Sequence, residues 1–141
     1  MRRPPALALC LLTAALGCGQ KKITECNALV QVINAGVVSL EKAPKNDADR
    51  TGVSDLRTMA DAMDKVAADA AGVALTLPEL KKLRDEYQKM AKDIGKAERE
   101  LAAAAQDHDL SHRAAAESAL QAVVKQEDPI VDAINKYCQA P

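Results

Sequence analysis

The chain has 141 residues, enough for one domain, and its 19 basic and 20 acidic residues nearly balance, which argues against a nucleic-acid binder. It has no Phe or Trp and two Tyr, so it lacks the aromatic surfaces on which bases and many small ligands stack. A core without these side chains must be built from aliphatic residues and Ala, and because Ala is the best helix former, the composition favours packed helices.

The first seventeen residues have the pattern of an export signal. Two arginines follow Met1, and residues 6–16 form an apolar run. This run is shorter than the about 20 residues that cross a bilayer, but it suits the hydrophobic part of a secretory signal. We therefore predict that residues 1–17, with Cys10, are removed, which leaves 17 basic residues against 20 acidic ones and a formal charge of −3.

Residues 15–18, Ala-Leu-Gly-Cys, resemble the lipobox of the bacterial lipoprotein signal family, where small residues precede a lipid-modified cysteine. The resemblance covers the leader alone. It implies that Cys18 receives a diacylglyceryl thioether and, after cleavage before it, an N-acyl chain such as palmitate. In Gram-negative lipoproteins an Asp at the next position commonly retains the protein in the inner membrane, so Gly19 favours the outer membrane. The alternative is ordinary signal cleavage nearby, which leaves a soluble periplasmic protein.

The mature chain is predicted to begin with a short tether. Residues 18–22 comprise the lipidated cysteine and four further residues, which reach at most about 14 Å and hold the domain against the membrane. Lys21 and Lys22 would then face the lipid headgroups. The domain itself is predicted to span residues 23–141.

Two helices are predicted next. Apolar residues recur at helical spacing from Ile23 to Leu40. Residues 43–52 are polar, contain a proline and predict a loop. Steps of three and four from Leu56 to Val73 then predict a second helix packed along a seam, and we expect its methionines to fill the core.

The start of the third predicted helix has the clearest local signal. Thr76 as N-cap and Glu79 at the third helical position form a capping box, and Leu75 and Leu80 form a hydrophobic staple. The apolar pattern continues to Leu101.

A fourth pattern follows a polar stretch. Residues 106–112 predict either a turn or the middle of one very long helix. Apolar residues from Ala116 to Tyr137 then predict a helix that Pro129 kinks or restarts.

The cysteines decide between these alternatives. With Cys18 assigned to lipid, Cys26 and Cys138 remain as a pair in an oxidising compartment. Four antiparallel passes bring the two chain ends together, whereas three passes leave them some 30 Å apart, and a disulfide needs Cα atoms within about 7 Å. The sequence therefore predicts an all-α, up-down-up-down four-helix bundle with a turn near residues 107–111 and a disulfide between its first and last helices.

Chemical sites find little support in the sequence. His108 and His112 lie four apart beside Asp107 and Asp109, but neither HExxH nor a cysteine cluster accompanies them, so we predict a solvated turn and no metal site. No serine stands in a nucleophile elbow or an SxxK motif, and no Gly-rich phosphate loop is present.

We therefore expect no catalytic residues and no cofactor. The expected function is a non-enzymatic, membrane-anchored envelope lipoprotein whose bundle acts as a protein-interaction or structural module and binds no nucleic acid. The alternative is a periplasmic helical carrier of a small ligand or of haem, the latter held non-covalently by Met59 or Met63 and a histidine.

Overall fold

The computed structural model describes residues 16–43 and 52–140, and within them every regular element is a helix. The helices are α1 (Leu16–Glu41), α2 (Val53–Ala71), α3 (Pro78–Gln106), α4 (Leu110–Val124) and α5 (Glu127–Gln139). The all-helical prediction is confirmed. Most of the predicted leader, residues 1–15, and most of the predicted loop, residues 44–51, lie outside the described residues.

The fourth predicted helix consists of two segments, α4 and α5, on either side of Lys125 and Gln126. Pro129 lies in the first turn of α5, where its missing N–H removes no helical hydrogen bond. A continuous helix would press the proline ring against the carbonyl of Lys125, the residue that caps α4. The restart predicted at Pro129 is thus confirmed, since the new helix begins at Glu127, two residues before the proline.

The turn predicted near residues 107–111 is also confirmed. α3 ends at Gln106 and α4 begins at Leu110. Asp109 is the N-cap of α4, and its Oδ1 accepts a hydrogen bond of 2.9 Å from the backbone N–H of His112. His108 adopts a positive φ of 55°, a conformation that reverses the chain at the end of α3.

The first helix starts earlier than the apolar pattern predicts. α1 begins at Leu16, so the four residues expected to form an irregular tether, 19–22, are helical. The Thr24 hydroxyl donates to the Gln20 carbonyl at 2.9 Å within this segment. The reason is local, because Gln20, Lys21 and Lys22 are good helix formers and lie between the helix start and the periodic pattern.

The predicted capping box at the start of α3 is wrong. α3 begins at Pro78, and its N-cap is Leu77, in an extended conformation with φ −74° and ψ 120°. Proline favours the first helical position and restricts the residue before it to extended backbone, so the helix starts one residue later than predicted. Thr76 donates its hydroxyl to Glu25 of α1 instead.

The core lies between α1, α2, α3 and α5. Its most completely buried large side chains are Leu29, Leu80, Met90 and Ile134. Met63 is buried with them, as expected for a core residue. At Gly95 a Cβ atom would lie 3.0 Å from the Ala60 carbonyl oxygen, so this glycine permits the close approach of α2 and α3.

Candidate functional site

The disulfide that the sequence predicts joins α1 to α5. The Sγ atoms of Cys26 and Cys138 are 2.12 Å apart, and their Cα atoms are separated by 5.7 Å. The bond connects residues 112 positions apart in the chain. It therefore fixes the N-terminal half of α1 against the C-terminal end of α5.

Lys22 adds a second link at the same end of the molecule. Its Nζ donates to the Ala140 carbonyl at 2.6 Å and lies 4.8 Å from the centroid of the Tyr137 ring. Such a cation–π contact stabilises by about 0.5–1 kcal/mol at an exposed site. Lys22 is thus turned towards the end of α5, whereas Lys21 is exposed.

Glu25, beside the disulfide, holds the connection between α2 and α3. Its Oε2 accepts hydrogen bonds from the backbone N–H groups of Thr76, at 2.8 Å, and Leu77, at 3.0 Å, while its Oε1 accepts from the Thr76 hydroxyl. Only 7 % of the residue's surface is exposed. The carboxylate of α1 thus accepts from the backbone N–H of Leu77, the N-cap residue of α3, and from that of the residue before it. In a capping box a side chain within the same helix binds the N-cap N–H.

The pKa of Glu25 is lowered by these contacts. The Thr76 hydroxyl has the largest effect, and the two backbone N–H groups and Lys21 act in the same direction against burial. Sequence reasoning missed this residue. The available signal was an acidic side chain adjacent to Cys26 on the side of α1 that faces the core.

Cys18, the predicted lipidation site, lies in α1 eight residues before Cys26. At 1.5 Å per residue the backbone of Cys18 is about 12 Å along the helix from the disulfide. The side chain of Cys18 lies outside the described residues. The three predicted site residues therefore lie at one end of the molecule, the first two on α1 and the third on α5.

The two histidines lie after the C-terminal end of α3, whereas Glu25 binds just before its N-terminal end. His108 and His112 are exposed, in the turn before α4 and in its first turn. Among residues 16–43 and 52–140, no group of three or more His, Cys, Asp or Glu side chains is arranged to hold a metal ion.

A second buried carboxylate, Glu98, was also missed by sequence reasoning. It lies on α3, 8 % exposed, and its Oε2 has no hydrogen-bond partner. Burial raises the pKa of Glu98 to about 7, with Arg99 opposing the shift. The Arg99 guanidinium instead pairs with two carboxylates of α2, at 2.8 Å from Asp61 and 2.6 Å from Asp64.

An open groove of about 600 Å³ runs between α1 and α2. Ala28, Val32 and Ala35 line it from α1, and Ala68 and Asp69 line it from α2. A second groove, of about 440 Å³, lies where α3 passes the break between α4 and α5. Both are lined mainly by apolar surface, which is the usual character of a ligand or partner contact.

Part of α1, Gly19–Glu41, is long and apolar enough to cross a membrane by length and composition alone, with a mean hydropathy of 1.3. Packing supplies another reason for this apolar character. Cys26, Leu29 and Ile33 are core residues, and Glu25 is bound to the start of α3. One side of α1 therefore packs into the core, and 28 % of that window is buried.

Three features distinguish this end of the molecule: the disulfide, the hydrogen bond from Lys22 to the end of α5, and the hydrogen bonds that Glu25 accepts just before α3. All three join α1 to elements distant in the sequence. Comparison of the chain with family models, with curated proteins and with solved structures found no match.

Proposed function

We propose that this chain is a lipid-anchored protein of the bacterial cell envelope, and that its helical domain is a non-enzymatic protein-interaction or structural module. The observation that carries the proposal is the Cys26–Cys138 disulfide, in a chain whose residues 1–17 have the pattern of an export signal that ends just before Cys18. Disulfides persist in oxidising compartments such as the periplasm, and the leader provides the route to that compartment.

Cys18 is the proposed attachment point for the lipid. The helical start of α1 is compatible with this role, since the anchor would connect to the bundle through one helix with a disulfide about 12 Å along it. By the resemblance of the leader, with Gly19 after the cysteine, we favour the outer membrane, on its periplasmic or surface side. Ordinary signal cleavage without lipid is the competing outcome.

We further propose that the helices run alternately up and down, with α4 and α5 forming one pass. Two contacts support opposite directions for α1 and α2. Glu25 contacts Thr76, just after α2, whereas Gly36, later in α1, contacts Val66, earlier in α2. The ion pair of Arg99 with Asp61 and the bond from Arg57 to Gln106 support the same for α2 and α3. The disulfide would then close the bundle between its first and last passes.

A non-enzymatic role is supported by where the charged groups lie. Exposed basic and acidic side chains pair along single helices, as in Lys65–Asp69 at 2.5 Å and Arg113–Glu117 at 2.9 Å. Exposed pairs of this kind contribute little to stability, at most about 1 kcal/mol, and mainly keep a surface soluble. The buried carboxylates, Glu25 and Glu98, line neither of the two grooves described above.

A carrier of a small ligand or of haem is the second candidate. The groove of about 600 Å³ between α1 and α2 favours the small ligand, because the residues that line it include no methionine or histidine that could hold haem iron. The size of the groove falls within the range of small-molecule sites. A Soret band, or an organic ligand that co-purifies and is lost when Ala35 is replaced by Trp, would support the carrier. A colourless protein free of bound small molecules would favour the interaction module.

The intact mass of the protein expressed in a Gram-negative host tests the proposal. We expect a chain that starts at Cys18, carries acyl mass and gains two hydrogen masses on reduction. The Cys18→Ser variant is the control and should lose the acyl mass while keeping the reducible bond. A chain cleaved elsewhere without lipid would contradict the anchor, and a mass unchanged by reduction would contradict the disulfide.

A further inference from the structure

We propose that Glu98 is the sensor of a pH-dependent switch: when its carboxyl group loses a proton, α4 loses its packing against α3. The opening is local and is bounded by the turn at residues 107–109 and the break at Lys125 and Gln126. The disulfide-bonded part of the bundle, in which Cys26 of α1 is joined to α5, stays folded. The switch requires neither a lipid nor a partner, so its failure would leave the proposed function unaffected.

The Glu98 side chain points into the interior of the bundle. At 3.6 residues per turn it lies within about 40° of Tyr87, Ala91 and Ile94, which are core residues of α3. Only 8 % of the residue's surface is exposed, and its Oε2 has no hydrogen-bond partner among the described residues. A buried carboxyl group without donors is favoured in its neutral form. Loss of the proton therefore favours any opening that brings Glu98 into water.

The interior at this level of α3 contains small side chains. The main core cluster ends on α3 at Ile94, and beyond it Glu98 is the one buried residue of α3 larger than alanine. Within the described part of the chain, the other buried hydrophobic residues outside that cluster are Ala60, Ala97, Ala102, Ala104 and Ala116. An alanine buries much less apolar surface than Leu or Ile, so this alanine-lined part is held less strongly than the main core.

α2 is joined to α3 in the alanine-lined part by ion pairs. The Arg99 guanidinium lies 2.8 Å from Asp61 and 2.6 Å from Asp64. These contacts engage both acids of α2 and draw Arg99 towards them. Because the two pairs do not involve Glu98, α2 stays attached to α3 when Glu98 ionises.

α4 is held to the bundle by little buried surface. Of its 15 residues only Ala116 is buried, and Leu120 and Val123 are partly buried. Its ion pair joins Arg113 to Glu117 within the helix. α4 is therefore the element that yields when the interior beside it becomes charged.

Irregular backbone separates α4 from both of its neighbours. α5 is fixed by the disulfide at Cys138 and by Ile134, which is 1 % exposed. Pro129 has no N–H, so the Lys125 carbonyl lacks the helical hydrogen bond that the residue four positions later would donate. At the other end, α3 ends at Gln106, before the turn. α4 can therefore open as one unit without the loss of helical hydrogen bonds in α3 or α5.

The charged groups of the neighbouring helices do not compensate an ionised Glu98. The titratable residues of α4, and those at the end of α1, are exposed: His112, Arg113, Glu117, Glu41 and Lys42. On α5, Glu127 acts on Tyr87, which lies about 16 Å along α3 from Glu98. The one charged group that lowers the pKa of Glu98 is Arg99, and burial outweighs it and raises this pKa to about 7.

The direction of the switch follows from the two states of Glu98. In the closed state its pKa is about 7, whereas in water the ordinary value is 4.5. Between these values the closed state binds a proton that the open state has released, so opening becomes more frequent as the pH rises and levels off above about 7.

Native-state hydrogen exchange of the intact, oxidised protein tests the switch. The opening constant is the ratio of the observed to the intrinsic exchange rate of an amide. For the amide of Leu120, on α4, we expect it to rise on the order of a hundredfold from about pH 4.5 to about pH 7.5. It should exceed that of Leu29, beside the disulfide, by at least about tenfold at every pH and depend less on urea. Equal opening constants at the two amides would assign the effect to unfolding of the whole bundle and overturn the inference.

Two variants connect the opening to Glu98 itself. Glu98→Gln keeps the shape of the side chain but has no proton to lose, so the rise at Leu120 should disappear. Glu100→Gln is the matched control, an exposed acid two residues away on the same helix, and should keep the rise. A rise that persists in Glu98→Gln would overturn the inference.

Thiol labelling reads the same opening with Glu98 intact. Ala116→Cys places a thiol at the buried position of α4, and Ala115→Cys places one at the exposed position beside it. The ratio of their labelling rates cancels the effect of pH on the thiol. We expect this ratio to rise on the order of tenfold from about pH 5.5 to about pH 7.5. A ratio independent of pH would overturn the switch.

Discussion

Glu25 and Glu98 are both acidic side chains buried between helices, yet their surroundings are opposite. Glu25 accepts three hydrogen bonds from the segment before α3, and these lower its pKa. Glu98 has an oxygen without any hydrogen-bond partner, and burial raises its pKa to about 7. Their exposed fractions are nearly equal, at 7 % and 8 %.

The comparison shows that burial alone does not determine what a carboxylate does for stability. Where donors surround the group, the charged form is favoured and the contact links α1 to α3. Where they do not, the neutral acid is favoured, and its ionisation near neutral pH opposes folding. The end of the molecule near the disulfide is therefore favoured by neutral pH, whereas the packing around Glu98 on α3 is favoured by mild acid.

The largest expected effect concerns the disulfide that fixes α1 beside Glu25. The double variant Cys26→Ser and Cys138→Ser removes a link that spans 112 positions. In the chain-entropy model such a link stabilises by up to about 4–5 kcal/mol, so we expect a large drop in the urea midpoint. Equilibrium unfolding at pH 7 measures it, with the oxidised wild type as the reference. A loss below about 1 kcal/mol would mean that the bond does not constrain the bundle.

The next largest effect concerns Glu98. Its pKa is above the ordinary value of 4.5 in the folded state, so the folded protein binds a proton that the unfolded chain has released. The free energy of unfolding should therefore fall as the pH rises from 4.5 through about 7, by on the order of 2 kcal/mol. The variant Glu98→Gln should remove this slope and be more stable than wild type at alkaline pH.

Urea unfolding across this pH range provides the measurement for Glu98. The control is Glu100→Gln, two residues away and exposed on the same helix, which should keep the slope of the wild type. A slope that survives in Glu98→Gln would assign the pH dependence to other groups.

Glu25 should show the opposite dependence on pH. Because its folded pKa is lowered, its contribution is present above the ordinary value of 4.5 and is lost as the pH falls through the folded pKa. The variant Glu25→Gln should lower the urea midpoint at pH 7 and speed hydrogen exchange at the amides of Thr76 and Leu77. The difference from wild type should shrink in acid.

An exposed acid in the first turn of α3 supplies the control for Glu25. Glu79→Gln should change neither exchange rate, because Glu79 makes none of the hydrogen bonds to Thr76 or Leu77. Equal urea midpoints for Glu25→Gln and wild type at neutral pH would show that the hydrogen bonds of Glu25 contribute nothing to stability.

The smallest expected effect is a rise in the pKa of Glu25, which would make it differ less from the pKa of Glu98. Thr76→Val removes the hydroxyl that has the largest effect on Glu25. The pKa of Glu25 should rise towards its ordinary value, as followed by NMR titration of its side-chain carbon. Thr58→Val is the matched control, since the Thr58 hydroxyl bonds to the Ser54 carbonyl within α2. An unchanged pKa in Thr76→Val would leave the backbone donors as the main cause.

The sequence by itself determined the helical class, the turn at residues 107–109, the restart at Pro129 and the pairing of Cys26 with Cys138. These features follow from short-range rules, because helical periodicity, proline and turn residues act within a few positions. The cysteine pairing was readable because few cysteines were available and their positions in the chain were widely separated.

The tertiary structure alone decided the roles of Glu25 and Glu98, the start of α3 and the side of α1 that stays exposed. Thr76 is a good N-cap by local rules, but Glu25 lies 51 positions away and binds its hydroxyl. Pro78 starts the helix at its own position, which leaves Thr76 outside it. Periodicity places a residue on a helix face, but only the packing of distant helices decides whether donors, apolar side chains or solvent meet that face.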